Sequence, residues 1–471
     1  MKNGKLFIVV GCIILLLSVS TVVFAQNGKQ TNYTSNNDNK TSDQTNKKQN
    51  DASNSQPIVP ERIGVYQQTY TQNVQTKTQD KTSAKQYTET GNTYYKAGDY
   101  NQAIIHYTKA IEADSKNVDA YSNRANANRQ LNNNDMAIPD YNKMVQLKPK
   151  DTTVYLNRGA TYLETNNYDK AANDFTKVIK MNPKSVSAYD NRGNAYLKQD
   201  SINKAISDFN TAIKLNSQDY TAYDNRGNAY EAQGQFDAAI ADYNTAINIK
   251  PDFADAYDNR GVARLGRGDT NAALNDFDNA ITHNPRHWRA YYHRGRIYHR
   301  HHNWDWAIRD YTFCIQFYPT YGWAYFDRGN CYFEQRYYDL AYADYLNAIK
   351  YDNQLADAYY QSGLILCYYD NYEDAIEYFN KAIALNPNNA DYYNYRGFAY
   401  YKLGKYDRSI SDLQQALELN PYFYDAMFNI GNTYVAMNDK MNAKIWYANA
   451  LKYQDQLPDN GAAILKALKN L

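Results

Sequence analysis

Five asparagines recur at a constant interval of 34 residues: Asn123, Asn157, Asn191, Asn225 and Asn259. Asn92, Asn126, Asn194 and Asn228 stand three residues beyond members of the same register, and Asp190, Asp224 and Asp258 stand one residue before it. A side-chain amide donates and accepts at once, so a row of amides can hold the backbone of an extended polypeptide. Asparagine is a middling helix former, which asks for a reason if the row lies within helices. Either the ladder binds peptide, with Asn123, Asn157, Asn191, Asn225, Asn259, Asn194 and Asn228 as its contacts, or duplication of one unit carried the asparagines along. The segments that start at Ala188 and Ala222 are nearly identical, as recent duplication would leave them.

A second chemistry is concentrated between Trp288 and His302, where Arg289, His293, Arg296, His299 and Arg300 form a cationic patch in a chain of net charge +1. Such a patch suits a carboxylate, a phosphate or an acidic peptide. Of its histidines only His299 and His302 have the spacing of one helix face, so no metal site is expected. A third group is aromatic: Trp323 and Phe326, then Tyr360, then Tyr395 and Phe398. Rings of this kind anchor partners, proteins or cell-wall glycans, unless they pack between neighbouring elements. No nucleophile motif, catalytic carboxylate pair or phosphate loop is present, so neither an enzyme nor a cofactor is expected.

The elements that must present these residues are themselves repetitive. From Ala84 a small residue recurs eleven times, beginning Gly91, Ala125, Gly159, Gly193 and ending Gly397, Gly431, always 34 residues apart. Taking it as position 8, position 4 is Tyr in ten units and Met427 in the last. Position 20 is Ala except at Ser409, and position 24 is aromatic except at Leu413. Positions 4, 8 and 11 share a face of a first helix, and 20, 24, 27 and 28 share a face of a second. The small residues let the two helices approach closely. Pro at position 32 in seven units (Pro149 to Pro421) stops the second helix. One such pair cannot bury its own apolar face, so the units must stack.

This pattern resembles the tetratricopeptide repeat family over residues 84 to about 457. The resemblance implies an all-α solenoid, a right-handed superhelix of helix–turn–helix repeats with the first helices lining a concave groove. It also implies that an asparagine ladder there binds extended polypeptide. The family's usual Trp at position 4 is Tyr here, and its usual Leu at position 7 is mostly Arg. The carboxylate-clamp variant is not carried over: Arg296 stands where its Asn belongs, and its Lys at position 5 is absent. After Pro458, residues 458–471 read as a capping helix over the last repeat.

Variation among the repeats exposes a pairing. Position 7 is Arg in eight units (Arg124, Arg158, Arg192, Arg226, Arg260, Arg294, Arg328, Arg396), and position 23 of the same units is Asp. The three units that carry Thr90, Ser362 and Ile430 instead have His106, Tyr378 and Trp446 in place of the Asp. An ion pair within each repeat follows, with a structural role and not an anion-binding one.

Ahead of the repeats, Lys2 and Lys5 precede an apolar run from Leu6 to Ala25, and Val23 and Ala25 have the spacing of a signal-peptidase site. Residues 1–25 therefore read as a signal peptide or a retained signal anchor; Val9-Val10-Gly11-Cys12 also resembles a lipoprotein box, although most of the apolar run follows its Cys. Each reading places the rest outside the cytoplasm, which argues against nucleic acid and leaves the N-terminal segment as the only membrane contact. Residues 26–83, rich in Asn, Gln, Thr, Ser and Lys, read as a disordered linker with a span on the order of 40 Å. Fifty tyrosines against fifteen phenylalanines suit rings that are buried at one end and polar at the other. Three cysteines beyond residue 25 (Cys314, Cys331, Cys367) form no disulfide framework.

Overall fold

A computed structural model describes residues 63–453 and 461–470, with side chains from residue 80 onward. Residues 1–25, and the linker as far as 62, lie outside that range. The described chain contains 23 α-helices and no strand. It divides into two compact units, residues 63–283 and 284–470. The first unit carries repeats one to six. The second carries repeats seven to eleven and the C-terminal helix Ala462–Lys469.

Each repeat is a helical hairpin. Repeat four, for example, pairs Val186–Lys198 with Ile202–Leu215. Within a unit, each second helix packs on both its own first helix and the first helix of the next repeat. The alanines at position 20 are fully buried, as are all the position-24 rings and Leu413. Close approach is the reason for glycine at position 8: a Cβ on Gly227 would stand 2.6 Å from the Tyr243 ring. Every turn between the two helices passes through a residue of positive φ at position 15. Gly fills it at 98, 234, 268 and 404, and Asn or Asp at 132, 166, 200, 370 and 438. His302 (φ 58°) and Arg336 (φ 64°) hold it against the steric preference of a residue with a Cβ.

Two expectations are adjusted. The first helix runs from Ile63 to Lys96, so residues 63–83 of the expected linker are helical. They follow Pro60 and contain no further proline, and the packed part of the helix beyond Ala84 spares the outer turns the cost of nucleation. At the other end the helix begins at Ala462 and buries Ile464 against Tyr424, Met427, Tyr447 and Ala450 of the last repeat.

Candidate peptide-binding face

All eight arginines at position 7 meet the Asp of their own repeat in two-pronged bonds. In repeat five, Arg226 Nε and Nη2 donate to the two Asp242 oxygens, each at 2.7 Å. The other seven pairs share this geometry, their closest contacts between 2.6 and 2.8 Å. The guanidinium also lies 5.3–5.9 Å from the ring of the tyrosine at position 4, close enough for cation–π attraction. In repeats two to six, eight and ten its remaining nitrogen does something the sequence reading missed: it donates to position 25 of the preceding repeat. Arg158 Nη1 reaches Asn142 at 2.8 Å, Arg192 reaches Thr176 at 3.0 Å, and Arg396 reaches Asn380 at 2.7 Å. The arginine thus joins three helices. A signal for this was present: Leu346 and Gln414 take position 25 just before the two units that lack Arg beyond the first.

Many asparagine amides are also committed. At position 9, Asn accepts from the hydroxyl of its own repeat's Tyr at position 24. Tyr243 donates to Asn228 Oδ1 at 2.8 Å, and Tyr107, Tyr141, Tyr345 and Tyr447 repeat the bond on Asn92, Asn126, Asn330 and Asn432. At position 6, the amide donates back to the preceding repeat. Asn225 donates to both Asp190 oxygens at 3.0 and 3.1 Å, Asn259 to both Asp224 oxygens at 3.0 and 3.2 Å, and Asn123 to Asn92 at 2.8 Å. The carboxylate-to-amide separation of 35 residues is the trace this staple leaves in the sequence. Asn157, Asn191 and Asn194 differ: they are half-buried and make no side-chain hydrogen bond with another described residue. Of the seven ladder residues, the structure therefore presents three as open donors and acceptors, all in repeats three and four.

The same face is acidic through repeats four and five. Burial pushes the Asp190 carboxyl up to about 6, against the pull of the Asn225 bond. Burial, with Asp258 and Asp224 nearby, pushes Glu231 up to about 7, and the Tyr243 hydroxyl at 3.1 Å only partly offsets this. In repeats one and two the face opens into a cavity of about 160 Å³ lined by Asn92, Tyr95, Lys96, Tyr107, Asn123 and Asn126.

In the second unit the residues of the expected cationic patch share the helix Trp288–Arg300. Their field is not unopposed. Asp327 of repeat eight lies beside them, half-buried, and accepts from the Tyr292 hydroxyl at 2.9 Å; burial raises its carboxyl above the usual range against the opposing pull of the neighbouring cationic groups. The Arg296 guanidinium lies 5.8 Å from the Tyr292 ring. Burial holds the His299 imidazole below its usual range, so it adds little positive charge at neutral pH. His299 and His302 both stand edge-on to the ring of Trp304. Arg289, His293 and Arg300 lie on the same helix.

The aromatic residues mostly fill the joints between repeats. Phe326 and Tyr360 are buried, and Tyr360 packs on Tyr392 and Tyr395 at centroid distances of 5.0 and 5.7 Å. Tyr395 and Phe398 are half-buried, the latter against Tyr372. Trp323, 43% exposed, is the one ring of the five on open display. The thiols of Cys314, Cys331 and Cys367 are free and buried, and that burial pushes each of them up, away from the reactive thiolate form.

Family models described as tetratricopeptide repeat match residues 118–151, 153–185, 259–312, 390–423 and 424–456. One described as TPR repeat matches 91–132, 193–234, 227–266 and 363–404. Among solved structures, the chain is similar to a tetratricopeptide repeat protein from Parabacteroides merdae ATCC 43184. Identity is 20%, covering 50% of this chain and 94% of that one, with a TM-score of 0.47. It is also similar to MamA, at 30% identity over 34% of this chain and 93% of that one, TM-score 0.31. A third is YrrB, a TPR protein with an unusual peptide-binding site, at 27% identity over 39% of this chain and 95% of that one, TM-score 0.31. No curated protein matches. Among the described residues no helix is long and apolar enough to cross a membrane.

Proposed function

Because the chain belongs to the tetratricopeptide repeat family, we propose that it is a non-catalytic scaffold that holds another polypeptide along the first helices of its repeats. The observation that carries this reading is the set of open amides at Asn157, Asn191 and Asn194. They stand in adjacent repeats, held in position by helices whose own joints are closed by other residues. An extended peptide offers backbone N–H and C=O groups in the alternation that such amides need. We further propose that the chain works outside the cytoplasm, exported or anchored by residues 1–25, with their basic start, apolar run and small-residue end.

The test begins with peptides selected by the full chain from a random displayed library. The variant N157A/N191A/N194A is then titrated with the selected peptide. Three lost amide contacts at about 1 kcal/mol each should weaken binding about a hundredfold. The melting temperature should stay unchanged, since these amides bond to nothing else in the described fold. Unaltered affinity, or a library from which the chain enriches nothing, rules the reading out. For location, protease added to intact cells should digest the repeats, and full protection would refute export.

A further inference from the structure

The last repeat does not end as the others would if one were simply left out. In most preceding repeats, second helices carry apolar or aromatic residues at positions 17 and 21, such as Phe236 and Ile240 or Tyr372 and Ile376, which join the packed core. Position 18 is Asp, Asn or Glu in all ten. In five of them it accepts a hydrogen bond from position 14 of the next repeat. Gln199 donates to Asp169, Gln233 to Asn203, Gln335 to Asp305 and Tyr369 to Asp339 at 2.8 Å, and Arg267 to Asp237 at 2.7 Å. Repeat eleven turns this pattern by one residue. Positions 17 and 21 become Lys440 and Lys444, both exposed. Position 18 becomes Met441, 73% exposed, and position 22 is Ile445, 49% exposed. Met437, 41% exposed, stands four residues before Met441 in the turn.

Lysines at 17 and 21 keep that part of the helix in water. A methionine and an isoleucine one residue further round do not, and the C-terminal helix leaves them uncovered while it buries Ile464. We propose that Met441 and Ile445, bordered along one edge by Lys440 and Lys444, form a docking stripe for an acidic amphipathic helix of a partner protein. Charge selects this occupant. Residues 440–471 hold five lysines (Lys440, Lys444, Lys452, Lys466 and Lys469) against two aspartates (Asp455 and Asp459), an excess of positive charge in a chain of net charge +1. A second copy would bring the same positive charge against itself. A bilayer favours Trp, Phe and Leu on the inserted face, whereas the stripe is Met and Ile on a helix of only 12 residues. Methionine repacks readily against the side chains of an incoming helix, and the lysines along one edge of the stripe meet its carboxylates.

The probe is a labelled peptide of about five helical turns, with leucines at i, i+3, i+4 and i+7 and glutamates elsewhere, titrated against the full chain. Its controls are a scrambled peptide, a lysine-for-glutamate peptide, and vesicles of phosphatidylcholine with phosphatidylserine. The parent chain should bind the glutamate peptide and not the scrambled one. M441E/I445E should weaken that binding at least about tenfold without lowering the melting temperature. K440E/K444E should turn the preference toward the lysine peptide. N157A/N191A/N194A should leave it unchanged, which separates this surface from the peptide-binding face. No binding of the glutamate peptide, equal binding of parent and M441E/I445E, or capture by the vesicles in preference to the peptide would each overturn the proposal.

Discussion

Removing one carboxylate of the arginine ladder should cost far more than removing the whole pair. In repeat five, Arg226 is 18% exposed and Asp242 8%. The guanidinium makes two 2.7 Å bonds to Asp242 and one of 2.6 Å to Asn210, and lies 5.5 and 5.8 Å from the rings of Tyr223 and Tyr230. In D242A those rings and the Asn210 bond still hold the cation in place, with two of its N–H groups facing no acceptor. Breaking a buried pair this way costs about 3–5 kcal/mol, and the remaining exposure of Arg226 puts D242A at about 3 kcal/mol. The chain contains its own compensated alternative, Ser362 with Tyr378 in repeat nine. There Ser362 is fully buried and donates to Ala358 O at 2.8 Å, and the Tyr378 hydroxyl lies 3.4 Å from that of Tyr342. Transplanting it as R226S/D242Y should cost no more than about 1 kcal/mol, because no charge is then left unpaired. The assay is native-state hydrogen exchange over residues 220–249, alongside thermal unfolding. D242A should speed exchange there by about thirtyfold or more relative to the double variant. If D242A costs less than the double variant, or if the two cost the same, the arginine is not held as a desolvated ion and the reasoning fails.

Two further outcomes follow from positions in the same fold. Glu231 has a folded-state value of about 7 against an ordinary 4.5. The stability linked to it is therefore fully present below about 4.5 and lost as pH rises through about 7; the 2.5-unit difference at 1.36 kcal/mol per unit sets about 3 kcal/mol as its upper limit. E231Q should remove that slope, and a urea-unfolding pH series in which parent and E231Q run parallel would contradict it. At the turn of repeat eight, Arg336 holds φ at 64°. R336G should raise stability by about 0.5–1 kcal/mol, the relief of left-handed strain less the entropy glycine adds to the unfolded chain; a lower melting temperature would show that the arginine side chain contributes a contact worth more than the strain.

The sequence alone was sufficient for everything that depends on helical periodicity within one repeat. The spacing of the small residue at position 8, the alanine at position 20 and the ring at position 24 shows which faces meet, because about 3.6 residues per turn assigns each side chain a direction. The Arg–Asp pairs could be read for the same reason: both partners belong to one hairpin, and the three repeats that lack one also lack the other. The distribution of polar groups between repeats is a different matter. Asn225 and Asn191 occupy the same position, yet one donates to a carboxylate of the preceding repeat and the other finds Leu156 at the equivalent place. Periodicity puts both on one face; only the way adjacent first helices approach each other decides which amide is already engaged. The same holds for Phe326 and Tyr360, whose positions along the helix suit a groove but whose rings are buried in the packed fold, Tyr360 against Tyr392 and Tyr395 of the next repeat. A residue's direction is fixed by its own helix, while its availability depends on the neighbours that tertiary packing brings up to it.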